Sequence, residues 1–409
     1  MAKTMDYQLR PRPYRMSNTI QHYEWGSRDG EAYISQFMDI PAEKGKPYAE
    51  LWMGAHPNGS SRINMGGKSV ALNHIIDLYP YEMLGVKVAK KYQNRLPFLL
   101  KILSAAEVLS LQAHPGKEDA KRLFLADPAH YPDDNHKPEM AIAISDFLAV
   151  IGFRPINEIQ SALERNPELA RFIGEFHWTD DDDIVLVKRL YKTLVQNSLK
   201  DIEGLKKTTE EIANRIKNMP LTRSTTEKAY IELHKKYPGD IGLLTLFLLN
   251  VVKLKPGEGI ILQDGIPHAY LKGNVIECMA NSDNVVRLGL TPKYRDLKTI
   301  LEILDYTPAK PVIMGEKKIE DFTVYDPDVK EFRINMCKLE KNSPKKIKSA
   351  GPEIGLVMDG RIELRWLEGN TERFEMYNKG ESFIVPAFLR QYTVIGVPSG
   401  HFVRTFIPE

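Results

Sequence analysis

A block of helical sequence interrupts a chain that otherwise has the texture of β-strands. Before it, short apolar segments such as "YISQF", "SRINMGG" and "FLAVIGFRP" are separated by Gly, Pro and Asn, which is typical of a β-sandwich or barrel. From about Ile156, apolar residues recur three and four positions apart, as in "INEIQSALERNPELARFIGEF", which predicts amphipathic helices. Strand texture returns in "NVVKLKPGEGIILQDGIPHAYLKGNVIECM". We therefore predict a mainly β protein in which residues 1–154 and 241–310 form one domain, 155–240 a helical insertion closed by "PG", and 311–409 a second β domain.

The C-terminal part contains a segment that resembles an earlier one. "GEGIILQDGIPHAYLKG", from Gly257, and "GESFIVPAFLRQYTVIG", from Gly380, each begin with a Gly-Glu turn that is followed by two apolar strands. Without gaps, His268 of the first copy falls opposite Gln391 of the second. Either two β-hairpins are alike by coincidence, or the chain holds two related β-barrels of which only the first kept its polar interior group.

The composition excludes several classes of protein. Basic and acidic residues nearly cancel, at 56 against 54, whereas nucleic-acid-binding proteins usually show a basic excess. Only two cysteines, Cys278 and Cys337, are present, which argues against a disulfide framework and favours a reducing compartment. The N-terminal "MAKTMDYQLRPRPYRM" lacks the apolar core of a signal peptide, and the longest apolar run, "IGLLTLFLLNVV", is shorter than the ~20 residues that cross a bilayer. We expect a cytoplasmic protein that binds neither nucleic acid nor membrane.

The stretch "LSLQAHP" places polar side chains on one face of an apolar strand. Because strand side chains alternate between faces, Ser110, Gln112 and His114 point to the same side. Such groups need partners or water when they are buried. They either line a wet, hydrogen-bonded cleft or hold a metal ion, and Gln is an infrequent zinc ligand.

Two further segments offer metal ligands. "DDNHKPEMAIAISDF" brings His136, Lys137 and Glu139 together before an apolar run, and "GIPHAYLKG" places His268 and Tyr270 on one strand face. Taken alone, the first could be a charged turn and the second a hydrogen-bonded hairpin histidine. With "LSLQAHP" they supply two imidazoles, one carboxylate and one amide oxygen, a set that suits a divalent ion with an open coordination position.

Cations in apolar surroundings indicate an anionic ligand. Arg287 in "NVVRLGL" and Lys101 in "LPFLLKILS" are embedded among apolar residues, where a charge is usually paired. The neighbouring Arg295 and Asp296 are typical of a surface loop. Buried cations beside a metal site favour a phosphate ester as substrate.

Several long motifs resemble the type I mannose-6-phosphate isomerases. They are "YEWGS", "ELWMGAHPNGSS", "PFLLKILSAAEVLSLQAHP", "NHKPE", "GIPHAYLKG" and "ECMANSDNVVRLGLTPK", in the family's order and with the helical insert in the expected place. The resemblance runs from about Tyr23 to Lys293 and weakens after Lys310. It implies a cupin fold with two jelly-roll barrels, a helical domain inserted into the first, and a degenerate second barrel.

The resemblance also implies the cofactor, the substrate and the site residues. It implies one zinc ion per chain, a small sugar phosphate as substrate and, we expect, a monomeric enzyme. Its zinc ligands fall on Gln112, His114, Glu139 and His268. Its catalytic residues fall on Arg287, Glu277, Lys137, His136 and Asp283, and its substrate-binding residues on Lys101, Ser110, Lys293 and Tyr270.

The expected reaction moves hydrogens between C1 and C2 of mannose 6-phosphate and fructose 6-phosphate through a cis-enediol. A zinc ion would stabilise the enediolate. Glu277 is the first candidate for the base, since a carboxylate in an apolar strand can have a raised pKa, and His136 and Lys137 are rivals. His136 and Asp283 are candidates for opening the sugar ring. An iron-dependent cupin oxygenase and a sugar-phosphate-binding module without catalysis remain as alternative functions.

Overall fold

The computed structural model describes residues 8–219, 222–341 and 343–408. The first seven residues of the segment that we tested for a signal peptide lie outside the described residues. Before residue 154 the strands are β1 (Tyr14–Ser17), β2 (Thr19–Gln21), β3 (Ser27–Arg28), β4 (Pro47–Tyr48), β5 (Glu50–Met53), β6 (Arg62–Met65), β7 (Lys68–Ala71), β8 (Phe98–Ala105), β9 (Leu111–Ala113), β10 (Glu139–Ala143) and β11 (Phe147–Phe153). The helices of this part are α1 (Tyr33–Phe37), α2 (Leu72–Leu78), α3 (Pro80–Leu84), α4 (Val86–Lys91) and α5 (Lys117–Ala126).

The segment "YISQF", which we grouped with the strand-like segments, forms helix α1. Its buried apolar residues Ile34 and Phe37 are three positions apart, which is the spacing of one helical face. The period of two that a half-buried strand requires is absent from these five residues.

Helices fill the segment between β11 and the next strand, β12 (Leu249–Leu254). They are α6 (Ile156–Arg165), α7 (Pro167–Ile173), α8 (Asp183–Lys200), α9 (Ile202–Asn218), α10 (Thr225–Lys236) and α11 (Ile241–Thr245). We expected the helices to end at Pro238 and Gly239. Instead the Asp240 carboxylate accepts a hydrogen bond from the backbone N–H of Gly242 at 2.7 Å and caps one more short helix. Because β11 and β12 pair with each other, the helices leave and rejoin the same sheet.

The remaining chain returns to strands, with a single α-helix, α12 (Leu297–Ile303), and a short 3-10 helix (Ala387–Leu389) among its described residues. The strands are β13 (Gly259–Leu262), β14 (His268–Ala280), β15 (Val286–Gly289), β16 (Ile313–Met314), β17 (Lys317–Ile319), β18 (Phe322–Tyr325), β19 (Arg333–Leu339), β20 (Lys345–Lys348), β21 (Glu353–Glu368), β22 (Thr371–Asn378), β23 (Ser382–Val385) and β24 (Gln391–Phe406).

The two similar segments have the same local structure. Gly257 and Gly380, which open them, both have positive φ angles, of 90° and 82°. The second strand of each copy, β14 or β24, begins at His268 or Gln391, the two residues that the ungapped comparison placed opposite each other. The likeness in sequence is therefore also a likeness in structure.

Two large antiparallel sheets organise the described strands, so the prediction of a mainly β protein is confirmed. One has the order β16-β13-β10-β14-β8-β5-β2, and β9, β11, β12 and β15 join it beside β14. The other has the order β17-β18-β19-β24-β21-β23-β1-β6-β7. The N-terminal strand β1 thus lies in the sheet of the C-terminal strands, where Tyr14 pairs with Ile384. The division into three domains stays a prediction.

Strand β8 separates an apolar core from a polar cavity. Leu100 and Ile102 face a core that they share with Phe332 and Ile354 of the C-terminal part. Because side chains alternate along a strand, Lys101 points to the opposite face. It is nevertheless buried, with 5% of its surface exposed. The helices have their own apolar core, which packs against β9 and β15.

Strand β14 changes partners at Gly273. Lys272 pairs with Leu148 of β11, whereas Gly273 pairs with Ala105 of β8. The φ angle of Gly273 is +117°, and a Cβ atom there would lie 2.4 Å from the carbonyl oxygen of Asp146. Glycine is therefore required at this bend, which brings both halves of β14 to the same cavity.

Candidate metal centre and active site

Three buried donors converge at one end of the first sheet. His114 follows β9, Glu139 begins β10 and His268 begins β14, and one ligand atom from each lies within 4.8 Å of the other two. The Nε2 atom of His114 lies 3.2 Å from Glu139 Oε1, and that of His268 lies 3.7 Å from Glu139 Oε2. His114 Nε2 is buried without a hydrogen-bond partner among the described residues. A bound cation would satisfy this nitrogen, and two imidazoles with a carboxylate are donors that zinc prefers.

The other nitrogens of the two rings fix their orientation. His114 Nδ1 lies 2.8 Å from the carbonyl oxygen of Asn284, and His268 Nδ1 lies 2.9 Å from that of Ile266. A carbonyl only accepts, so each Nδ1 carries a proton, and in the neutral ring each Nε2 presents a lone pair to the centre. Burial, followed by the neighbouring His114, lowers the pKa of His268 to about 4. His268 is therefore neutral near pH 7, as a metal ligand must be.

Gln112 lies beside these donors, opposite His268 and Arg287 in the strand pairing. Its Nε2 atom is 3.5 Å from His268 Nε2, and its Oε1 atom accepts a hydrogen bond from Ser110 Oγ at 2.7 Å. The amide oxygen thus faces Ser110. A role as metal ligand requires a half-turn of the amide, which exchanges its oxygen and nitrogen.

Most of the predicted site residues line one cavity of about 60 Å³. The predicted residues in its wall are Lys101, Ser110, Gln112, Lys137, Glu139, His268, Tyr270 and Glu277. Glu50, Leu103 and Leu109 complete the wall. The cavity therefore combines three of the four candidate metal donors, Gln112, Glu139 and His268, with a separate set of carboxylates and ammonium groups.

A buried lysine joins two carboxylates in this cavity. Lys101 Nζ lies 3.2 Å from Glu277 Oε2 and 3.3 Å from Glu50 Oε2. Burial alone would lower the pKa of Lys101, but Glu50 and Glu277 outweigh it and raise that pKa. Burial, followed by the charge of Glu139, raises the pKa of Glu277 to about 7. Glu277 can therefore both accept and return a proton near neutral pH.

A second ammonium group lies next to the metal donors. Lys137 Nζ is 3.3 Å from Glu139 Oε1. Burial opposes the ionisation of Glu139, but His114 and Lys137 outweigh it and hold its pKa well below the usual range. Glu139 is therefore ionised, as a carboxylate ligand must be.

Two cations stand outside the buried cavity without acidic partners. Among the described residues, neither Arg287 nor Lys293 forms an ion pair. Lys293 Nζ lies 5.5 Å from the centre of the Tyr23 ring. The pKa of Lys293 is lowered by burial and then by Arg287, which shows that the two charges are neighbours. Two adjacent cations that form no ion pair among the described residues favour binding of an anion.

Both ring nitrogens of His136 contact carboxylates that lie outside the cavity wall. Nδ1 lies 3.3 Å from Asp264 Oδ2 and Nε2 lies 3.3 Å from Glu331 Oε1. Burial alone would lower the pKa of His136, but these two carboxylates outweigh it and raise it to about 9. A protonated ring between two carboxylates has no free lone pair. This arrangement favours Glu277 over His136 as the base.

Asp283 pairs with a histidine that the sequence analysis did not single out. Its Oδ1 atom lies 3.3 Å from His56 Nε2, and its Oδ2 atom accepts a hydrogen bond from Asn58 Nδ2 at 2.7 Å. The backbone N–H of Asn58 donates to His56 Nδ1, so the His56 proton is on Nε2 and points to Asp283. Burial would raise the pKa of Asp283, but His56 and its other partners hold it below its usual range.

Glu50 is the other functional residue that the sequence analysis missed. It is 6% exposed and accepts a hydrogen bond from Trp52 Nε1 at 2.5 Å. A carboxylate at the start of the apolar run "ELWM" was a usable signal, since the same criterion identified Lys101.

The fold and the site together define a class: a mainly β enzyme with a buried donor set for a divalent metal. A model of the family "Phosphomannose isomerase type I, catalytic domain" matches residues 14–156. Mannose-6-phosphate isomerase of Rattus norvegicus is 38% identical over 79% of this chain and 81% of its own length. Mannose-6-phosphate isomerase 2 of Arabidopsis thaliana is 35% identical over 91% of this chain and 88% of its own.

Solved structures of phosphomannose isomerases also resemble this chain. A variant of phosphomannose isomerase from Salmonella typhimurium is 31% identical and has a TM-score of 0.83 over 97% of this chain and 99% of its own. A zinc-bound mannose 6-phosphate isomerase is 30% identical, with a TM-score of 0.83 over 97% of this chain and 100% of its own. The chain therefore belongs to the type I mannose-6-phosphate isomerases and is an enzyme of that family. Within the described residues, every helix is too short or too polar to cross a bilayer.

Proposed function

We propose that the protein is a zinc-dependent aldose-ketose isomerase that interconverts D-mannose 6-phosphate and D-fructose 6-phosphate through a cis-enediol. One observation carries this proposal. The donors His114, Glu139 and His268 converge, and the last two line one small cavity together with Glu277, a carboxylate with a pKa of about 7. Relatives that bear this activity in their names, including one with zinc bound, support it.

We assign one zinc ion per chain to Gln112, His114, Glu139 and His268. The ion, when bound, supplies a Lewis acid for the negative charge that develops on the sugar oxygens. The donor set fits this ion because His268 is neutral and Glu139 is ionised at neutral pH. Gln112 joins the set after its amide turns over.

Glu277 transfers the proton between C1 and C2 in this proposal. Its raised pKa gives it comparable acid and base forms near pH 7, which suits a group that takes a proton from one carbon and returns it to the next. Lys101 and Glu50 hold it in place from one side. Lys137, the other candidate in the cavity, lies 3.3 Å from Glu139 and is better suited to fixing that carboxylate.

The phosphate binds outside the buried cavity. The reacting sugar carbons lie in the cavity beside Glu277, while the phosphate stays near the entrance. Arg287 and Lys293, neighbours without acidic partners, suit that anion. The sugar contacts three residues of the cavity wall, Ser110, Tyr270 and Lys101. The positive charge of Lys101 is partly balanced by its two carboxylate partners. Asp283, oriented by His56, is the candidate for opening the ring.

We also propose the finer architecture that the family resemblance implies. It consists of two cupin jelly-rolls, a catalytic one from 1–154 and 241–310 and a degenerate one from 311–409, with a helical domain at 155–240. The repeated arrangement, in which β13 and β14 flank β10 as β23 and β24 flank β21, supports two related barrels. We expect the enzyme to act as a monomer in the cytoplasm. Sedimentation and a fluorescent fusion test these two points.

A coupled assay tests the activity. Fructose 6-phosphate is converted to glucose 6-phosphate and detected with a dehydrogenase, with and without a chelator, and the metal content is measured in parallel. We expect chelator-sensitive turnover of mannose 6-phosphate that zinc restores. We also expect free mannose to be a very poor substrate, because the remote phosphate holds the open chain in place.

The assay also separates the alternatives. Oxygen uptake on addition of Fe(II) would favour an oxygenase. Binding of mannose 6-phosphate without turnover would favour a module that lacks catalysis. Turnover that is unaffected by complete removal of metal would contradict the proposed role of zinc.

A further inference from the structure

Two loops beside the metal donors are locked together by one carboxylate. We call the loop residues Asp133, Asn135, Ser282 and Asn284 the Asp133 clip. Asp133 Oδ1 accepts hydrogen bonds from Ser282 Oγ at 2.8 Å and from Asn284 Nδ2 at 3.2 Å. Its Oδ2 atom accepts one from the backbone N–H of Asp283 at 2.8 Å. One side chain therefore organises three successive residues of the opposite loop.

The rest of the clip immobilises Asn284. Its side-chain nitrogen also donates to the carbonyl oxygens of Asp133, at 2.7 Å, and Asn135, at 2.9 Å. Its backbone N–H donates to Ser282 Oγ at 3.1 Å. Asn284 is completely buried, so these bonds do not exchange with bulk water.

The immobilised residue holds a candidate metal ligand. The carbonyl oxygen of Asn284 accepts the Nδ1–H of His114 at 2.8 Å, which directs His114 Nε2 to the metal centre. The same carboxylate fixes the backbone of Asp283, whose side chain contacts His56. A shift of this loop would therefore turn the His114 ring and displace Asp283.

We propose that Asp133 is a positioning residue of the metal centre, acting on His114 through Asn284. The inference rests on the proposed function, since it assumes that His114 binds zinc. Groups that orient a metal-bound histidine contribute to metal affinity, and their loss weakens binding or activity about 10–100-fold. Asp133 does not itself contact the metal donors.

The carboxylate is suited to this role because it only accepts hydrogen bonds. An asparagine at position 133 has the same shape but replaces one oxygen with a donor. If the new NH₂ group faces Asp283, two N–H donors oppose each other. If it faces the other way, it opposes the Asn284 NH₂ group, and the Ser282 hydroxyl can no longer donate to residue 133. D133N therefore removes bonds of the clip in either orientation without leaving a cavity.

Zinc release from the loaded enzyme to a chromogenic chelator tests the proposal. We expect D133N to release zinc about 10–100-fold faster than the wild type. Its KM for mannose 6-phosphate should stay near the wild-type value, and excess zinc should raise its lowered kcat severalfold. This dependence on added zinc is expected of weakened metal binding, whereas a general structural defect, or a displaced Asp283 alone, would lower kcat by the same factor at every zinc concentration.

Two further variants make the experiment decisive. D134N removes the same charge from the exposed neighbouring residue and should release zinc at the wild-type rate. S282A removes the bonds of the Ser282 hydroxyl but leaves Asp133 bonded to Asp283 and Asn284. It should release zinc faster by a smaller factor, and it decides the question if D133N does not fold. Wild-type release rates in the folded variants would overturn the inference. Failure of the wild type to bind zinc at all would instead contradict the proposed function.

Discussion

The two carboxylates that contact Lys101 differ in the role that we propose for them. Glu50 and Glu277 lie 3.3 and 3.2 Å from the same ammonium group, but we assign the proton transfer only to Glu277. We expect E277Q to lower kcat about 10²–10⁴-fold with unchanged zinc content, because general base catalysis is lost. E50Q is the matched control, since it removes the other partner of Lys101. Equal losses of kcat in the two variants would mean that both carboxylates only neutralise Lys101.

The pKa of Glu277 also predicts the pH dependence of the reaction. Burial and the charge of Glu139 raise that pKa to about 7, so the base form is lost as the pH falls through 7. We expect kcat/KM to fall tenfold per pH unit on the acid side of pH 7. His268, with a pKa of about 4, would release metal only at much lower pH. E277Q should lack the acid limb, and an acid limb that persists in that variant would identify another group as the base.

The sequence was informative about residues wherever a local rule applied. Alternation along a strand placed Ser110, Gln112 and His114 together, and a cation in an apolar run identified Lys101. Family resemblance supplied the ligand set, which stays a prediction; His114, Glu139 and His268 lie close together, and Gln112 lines the cavity beside two of them. His56 and Asp133 were missed because their roles depend on loops that are distant in sequence. No local pattern indicates that residue 133 binds residues 282 to 284.

At the scale of elements, strand β14 can pair with both β11 and β8 because it bends at Gly273. At Gly273 a Cβ atom would lie 2.4 Å from the Asp146 carbonyl oxygen and 2.9 Å from Phe147 Cα, and φ is +117°. We expect G273A to lower the free energy of unfolding by about 1–3 kcal/mol through overpacking, in addition to backbone strain. G66A is the control, since Gly66 has a positive φ but open space around it, and it should cost only about 1–2 kcal/mol. Urea denaturation measures both, and equal effects would refute the close-approach argument.

The elements differed in how well sequence predicted them. Long amphipathic segments such as α8 and α9 have a clear helical period. Strands lie on either side of the helical segment, as the sequence predicted. Helix α1, with five residues, is too short for its period to be recognised against strand-like neighbours. Helix α11 begins beyond a Pro-Gly pair because of a cap at Asp240, and that cap depends on contacts with Leu290 far along the chain.

The whole molecule is tied together by strands that cross between its two ends. Strand β1 pairs with β23 on one side and β6 on the other, although β6 precedes β23 by over three hundred residues. Leu100 of β8 shares an apolar core with Phe332 and Ile354. The sequence could not indicate this pairing between the two ends of the chain, because the partner of a strand can be distant in sequence and leaves no local pattern.

Because β1 pairs with the C-terminal strand β23, we predict that residues 1–310, which contain the candidate active site, do not fold alone. A fragment of residues 1–310 loses the partner strand of β1 and exposes the core that β8 shares with the C-terminal part. We expect the fragment to bind a hydrophobic dye and to lack a cooperative thermal transition, whereas the full chain should show one and should not bind the dye. Co-expression with residues 311–409 is the control, and it should restore folding and zinc binding. A fragment that alone unfolds cooperatively and binds zinc like the full chain would show that the first sheet is autonomous, and β1 would then contribute little to its stability.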